Sequence, residues 1–186
     1  MKTVFEQVCE WNAARYDRVY NHDLAVALIE EEYQEWFDND DPVEKLDALC
    51  DLAYVAFGML WKLNVDVEND NVLEIIIPPH PKMAPIYHLS GIIAMWKGGK
   101  LTGHEAAHNI LASVCNQACH VGYTYEEFVE AMQAVCDSNA SKAIKKTASD
   151  VKANGNDKGS TYVPPTEALN VIYLKMIDRE AKETFQ

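Results

Sequence analysis

The sequence predicts an all-α fold, a bundle of antiparallel helix hairpins. Apolar residues recur at three- and four-residue spacing along most of the chain, as in Leu46, Leu49, Cys50, Ala53, Phe57 and Leu60. Capping and turn residues separate these stretches, and short turns between long helices make neighbours antiparallel. Only "VLEIII" at 72–77 reads as a short strand or a helix end.

The first helix is expected over 3–20, with Val4, Val8, Trp11 and Val19 among its apolar residues. A second covers about 23–37, with Asp23 placed to cap it after Asn21-His22. "DNDDP" ends it, and Pro42 suits the first turn of a third helix over 43–63. Residues 64–82 break the pattern, and "PPHP" enforces extended chain. Helices follow at about 84–97 and 103–121, separated by "KGGKLTG". Another spans about 125–145, where Thr124 with Glu127 makes a capping box. Residues 149–165 read as a loop and 166–183 as a terminal helix. The domain reading is a helical domain over 1–148, with 67–120 an insertion or degenerate repeat, then the loop, then 166–186 packing on the same domain.

Composition narrows the function. No apolar run reaches the ~18–20 residues that span a bilayer, and residues 1–20 lack a signal-peptide pattern. The five cysteines are odd in number and fall within helical patterns, which suits a reducing cytoplasm better than a disulfide framework. A net charge of −13 argues against nucleic acid and anionic membrane as partners. The charge is also uneven: ten of the 29 acids lie between Glu30 and Asp51, and five of the 16 basic residues between Lys142 and Lys158. One block suits a cation and the other phosphates; the plain alternative is two solvated faces of opposite sign.

The acidic block is "LIEEEYQEWFDNDDPVEKLDALCDLAYVAFG", residues 28–58. At about 100° per residue, Glu31 and Glu35 fall in line with Leu24 and Leu28, with Glu32 beside them, so these acids are expected to continue the inward stripe. On the third helix Asp47, Asp51, Tyr54 and Gly58 form a ribbon beside the apolar stripe. An antiparallel hairpin brings the two sets face to face. Crowded carboxylates are tolerable when protonated, paired with lysine or neutralised by a divalent cation. Oxygen donors without histidine point to Mg²⁺ or Mn²⁺.

This segment resembles the signature of the all-α nucleoside triphosphate pyrophosphohydrolases: the MazG-like family, with the phosphoribosyl-ATP pyrophosphohydrolases and dimeric dUTPases. That pattern is E-E-x-x-E on one helix and E-x-x-D on the next; here stand Glu31-Glu32-x-x-Glu35 and "DALCDLAYV" at 47–55. "AVCDSNASK" (134–142) and "DKGSTYVPP" (157–165) are similar to later motifs of its compact phage and bacterial members. The resemblance implies Glu32, Glu35 and Asp51 as metal ligands, with Glu31 as ligand or water-activating base; Glu31 and Glu35 are the catalytic candidates. It implies Asn139 and Lys142 as phosphate contacts, assisted by Lys145, Lys146 or Lys158. Trp11, Asn21, Trp36 and Tyr54 are candidates for base contact, and equally for core. The family's Glu of E-x-x-D falls at Ala48, and Asp47, one turn before Asp51, is the substitute in reach. The implied reaction is Mg²⁺-dependent hydrolysis of a (deoxy)nucleoside triphosphate, or a related alarmone, to monophosphate and pyrophosphate, in nucleotide-pool control. The alternatives are phosphoribosyl-ATP hydrolysis and a non-catalytic nucleotide-binding or regulatory bundle. A homodimer or tetramer is expected unless a second hairpin completes the bundle within one chain.

One motif points elsewhere. "HEAAH" at 104–108 has the His-Glu-x-x-His spacing of zinc peptidases. The longer metzincin pattern is absent: its Gly and third His would fall at Leu111 and Val114. His104, His108, Leu111, Cys115 and Cys119 form one helical stripe. That stripe reads first as a packing face, second as a structural zinc or copper site in an interaction module, and last as a peptidase. Setting 46–55 against 104–113 puts Glu105 opposite Asp47 and Asn109 opposite Asp51, and farther on Leu63-Asn64 opposite Val121-Gly122. Trp36 likewise echoes Trp96. These pairs suggest a worn internal repeat that has lost its acids.

Overall fold

The structure, a computed structural model, describes residues 2–65, 88–142 and 160–184. Seven helices make up its regular structure: α1 (Val4–Ala13), α2 (His22–Asp38), α3 (Pro42–Lys62), α4 (Leu89–Lys97), α5 (Gly103–Val121), α6 (Tyr125–Ser141) and α7 (Thr166–Thr184). Among the described residues there is no strand, so the all-α prediction holds; "VLEIII" lies outside them.

Local chemistry sets the helix ends. Thr3–Glu6, Thr102–Glu105 and Thr124–Glu127 form reciprocal capping boxes on α1, α5 and α6. Asp41 accepts from the Val43 and Glu44 amides, with Pro42 in the first turn of α3. Asn21, not Asp23, caps α2: its side-chain oxygen accepts the Leu24 amide at 3.0 Å, and Asp23 sits inside the first turn, where its charge favours the helix dipole.

The first helix is shorter than the 3–20 expected. The Asn12 carbonyl accepts from the Arg15 and Tyr16 amides, and the chain then leaves helical geometry. Arg18 crosses to the end of α3 and donates to the carbonyls of Trp61 (2.6 Å) and Val65 (3.2 Å). Val65 lies past the end of α3 and the Trp61 carbonyl also accepts the Asn64 amide, so Arg18 ties the chain that follows α1 to the closing turn of α3. Residues 84–87 and 143–145, also expected to be helical, lie outside the described residues.

Helix α3 is the axis of the core. It packs most extensively on α2 and α5, and also meets α1, α6 and α7. Leu49, Cys50, Leu52, Ala53, Ala56, Phe57 and Leu60 are all buried, a pattern too wide for one face. Each fully buried Leu or Phe contributes roughly 1.5–3 kcal/mol. Helices α4 and α5 form a second hairpin-like pair against α3, with Trp96, Leu89 and Ile110 fully buried. Helix α7 packs on α3 and α6 through Leu169, Ile172 and Met176.

Candidate active site

The α2–α3 hairpin turns through Asn39–Asp41 and is pinned by Trp36, which is buried, stacked on Tyr33 at 6.3 Å, and approached by the Lys45 ammonium at 5.4 Å. Trp36 is therefore core. The inward stripe of α2 is Ala25, Val26, Ile29 and Trp36. This corrects the expected orientation of the acids: Leu24 is 46% exposed, and Glu31 and Glu35 are exposed as well. The four-residue ladder Leu24–Leu28–Glu31–Glu35 drifts off the face that meets α3, because residues 25, 26, 29 and 36 pack there better. Glu32 sits on the border, half-buried. Glu31 and Glu35 line an open depression with Gln34, Asp38 and Asn39.

Across the hairpin Asp47 and Asp51 are half-buried on adjacent turns of α3. Burial is the main cause holding the Asp51 carboxyl well above the usual aspartate range. The negative charges of Asp47, Glu32 and Glu35 push the same way, and Lys142 opposes them. Asp47, Glu32, Lys142 and Glu35 thus lie near enough to Asp51 for their charges to bear on it. Glu31 is the acid of the motif that faces outward. Among the described residues no three His, Cys, Asp or Glu side chains stand close enough together to hold a metal ion. The acids are neighbours, but their oxygens do not converge.

Lys142 and Asn139 come from the C-terminal end of α6. Asn139 is buried, and its backbone carbonyl accepts the Trp11 indole N–H at 2.8 Å. Trp11 meets the Tyr54 ring edge-on at 5.6 Å and Tyr16 at 5.8 Å. The Arg15 guanidinium lies 4.3 Å over the indole. Burial pushes the Tyr54 phenol far up, with Cys136 and Asp51 adding to the rise and Arg15 opposing it. Trp11 and Tyr54 therefore border the acid cluster, with one indole face already covered by arginine. Asn21 stands at the start of α2, where its side-chain oxygen accepts the Leu24 amide. Lys145, Lys146 and Lys158 lie outside the described residues.

Arg15, which sequence reasoning missed, bridges to α6: it donates to the Lys142 carbonyl at 2.9 Å. Arg15 follows Trp11 by four residues, in the turn that leaves α1, a spacing visible in the sequence, though their partner at the end of α6 is not.

The His-Glu-x-x-His stretch is resolved by the same geometry. Glu105 is the third-position acid of a capping box: its carboxylate accepts the Thr102 amide at 2.8 Å and the Thr102 hydroxyl at 2.9 Å. Those contacts lower its carboxyl. The Thr102-x-x-Glu105 signal was there to be read. His104 and His108 face each other, Nε2 to Nε2, at 3.2 Å. Cys115 lies seven residues beyond His108, about 10 Å along the axis, so the histidine and cysteine pairs cannot share one ion. Burial raises the Cys115 and Cys119 thiols, which disfavours thiolate ligands.

The molecule is an all-α bundle whose acidic residues gather on the two helices of its central hairpin. Residues 1–77 match the family model of phosphoribosyl-ATP pyrophosphohydrolase, which puts helices α1–α3 in the MazG-like nucleoside triphosphate pyrophosphohydrolase superfamily. The match covers both acid-bearing helices and stops short of α6. It implies a nucleotide pyrophosphohydrolase. No curated protein and no solved structure matches the chain.

Proposed function

We propose that the chain hydrolyses a nucleoside triphosphate to the monophosphate and pyrophosphate, with the α2–α3 hairpin as its catalytic centre. The observation that carries this reading is the Asp51 cluster: four carboxylates at half-buried or exposed positions, with Lys142 opposing them from another helix. Folding such charges together costs stability unless a function repays it. Asp47 is, after burial, the strongest influence on Asp51, which supports it as the replacement for the acid missing at Ala48.

The donor set is all oxygen, which fits Mg²⁺ or Mn²⁺. Glu32, Glu35, Asp47 and Asp51 would hold the ion, and the side chains would have to turn toward one another to do so. When bound, the cation neutralises phosphate charge and lowers the pKa of a coordinated water. Glu31, outward and exposed, suits a role as base for a water arriving from solvent. Lys142 binds and orients the phosphates. Trp11 and Tyr54 offer apolar edges for the base.

A second reading, phosphoribosyl-ATP hydrolysis, is favoured by the family matched over residues 1–77. A panel of ribo- and deoxyribonucleoside triphosphates and phosphoribosyl-ATP, with Mg²⁺ and with Mn²⁺, separates the two. The expected result is pyrophosphate and a monophosphate from a triphosphate, abolished in Glu35→Gln. Turnover of phosphoribosyl-ATP alone would select the second reading. Tight nucleotide binding without turnover would make the chain a regulatory binder.

A further inference from the structure

We propose that Arg15 is a positioning residue which, with Trp11, holds the last turn of α6 and with it the backbone of Lys142. The inference rests on the reading above in giving Lys142 a substrate to meet; the clamp itself does not.

A helix ends with carbonyls that have no partner inside it. Many chains solve this with a glycine just past the end. Here α6 runs into Lys142, whose backbone is extended (φ −67°, ψ 141°). Side chains supply the missing donors instead. Ser141 Oγ donates to the Ser138 carbonyl at 2.6 Å, and Thr161 Oγ1 to the Ser141 carbonyl at 3.1 Å. The other two come from the end of α1 and the turn after it: Trp11 Nε1 donates to the Asn139 carbonyl, which also accepts the Lys142 amide, and Arg15 Nη2 donates to the Lys142 carbonyl.

Trp11 and Arg15 act as a unit. The guanidinium covers the indole at 4.3 Å and also donates to the Trp11 carbonyl at 3.4 Å. Stacking fixes the plane from which the fork reaches Lys142, a geometry that lysine cannot reproduce. The consequence is positional: the arginine fixes the backbone of Lys142, whose ammonium lies 6.0 Å from the centre of the Tyr162 ring.

The test uses the full chain with Arg15→Ala, Arg15→Lys, Lys142→Ala and the double variant Arg15→Ala/Lys142→Ala. Amide hydrogen exchange reads residues 138–142, and KM and kcat are measured on the best triphosphate of the panel. Arg15→Ala is expected to speed exchange in the last turn of α6 and leave α3 and α5 unchanged. KM should rise about tenfold, the loss of one hydrogen bond to a charged group, with kcat changed much less. In the Lys142→Ala background the same change should add less than about twofold, because coupled residues are not additive. Arg15→Lys should not rescue. Fully additive KM losses would make Arg15 a phosphate contact in its own right and overturn the positioning role. Unchanged exchange at 138–142, or exchange raised evenly through the protein, would also overturn it. The exchange arm needs no turnover, so it judges the clamp even if the wild type cleaves nothing on the panel.

Discussion

At the scale of single residues, Asp51 and Asp47 carry the functional argument. Asp51 is raised by burial and by its acidic neighbours, so its proton is held more tightly in the folded than in the unfolded chain. Asp51→Asn is expected to remove turnover while raising the melting temperature of the metal-free protein, because the burial cost of the carboxylate and its repulsion from Asp47 are relieved. Calorimetry in EDTA checks the second half. Asp47→Asn is expected to lower kcat roughly 100-fold, as befits a group that holds a charge-neutralising cation. If Asp47→Asn turns over normally, the gap left at Ala48 has some other remedy.

At the scale of elements, two capping boxes carry different loads. On α5, Thr102 and Glu105 serve the helix start, and Glu105→Ala is expected to lower the urea midpoint slightly, and less than Thr102→Ala does. His104→Ala/His108→Ala should change stability by less than about 0.5 kcal/mol, because these side chains are exposed or half-buried. Stoichiometric zinc in the purified protein, lost in that double variant, would restore the metal reading. On α6 the box carries a tertiary bond too. Glu127 is 3% exposed, its carboxylate meets Arg179 of α7 at 3.1 Å, and Arg179 also donates to the Gly122 carbonyl. Burial works to raise the Glu127 carboxyl, but the Arg179 and Thr124 contacts outweigh it and hold it low. Glu127→Ala removes both the cap and the hydrogen bonds to Arg179, so it is expected to cost about 2 kcal/mol.

At the scale of the molecule, the site sets a pH dependence. A raised aspartate favours the fold below about pH 4, its ordinary range, and that contribution is lost as pH climbs through the raised folded value. Glu127 runs the other way: its contribution is present above the ordinary glutamate range and lost as pH falls toward its lowered value. The two are separated by subtraction. The difference in melting temperature between wild type and Asp51→Asn is expected to widen as pH rises in EDTA and to shrink in Mg²⁺. A constant difference would mean that Asp51 is not strained by its neighbours.

The two hairpins also bear on the molecule as a whole. Helices α3 and α5 pack on each other, and both end in a residue of positive φ, Asn64 at 61° and Gly122 at 118°. These positions stand opposite each other in the suggested repeat, and both suit the left-handed turn after a helix. Trp36 and Trp96 are each buried near the end of the first helix of their pair.

How much was legible depended on whether the signal was local. Capping boxes, Pro42 and the apolar spacing of α3 act within a few residues, so the sequence by itself determined the helical class, nearly every helix and the acid motif. The direction in which α2 turns its acids is not local: Glu31 and Glu35 continue a plausible stripe, and only packing against α3 selected Ala25, Val26, Ile29 and Trp36 instead. The end of α1 was likewise decided by Arg18 reaching α3. The meeting of Lys142 with Asp51, and of Arg15 with the end of α6, was decided by tertiary structure alone, because these contacts join segments far apart in the chain, whose approach is fixed by burial of the core rather than by any neighbour in sequence.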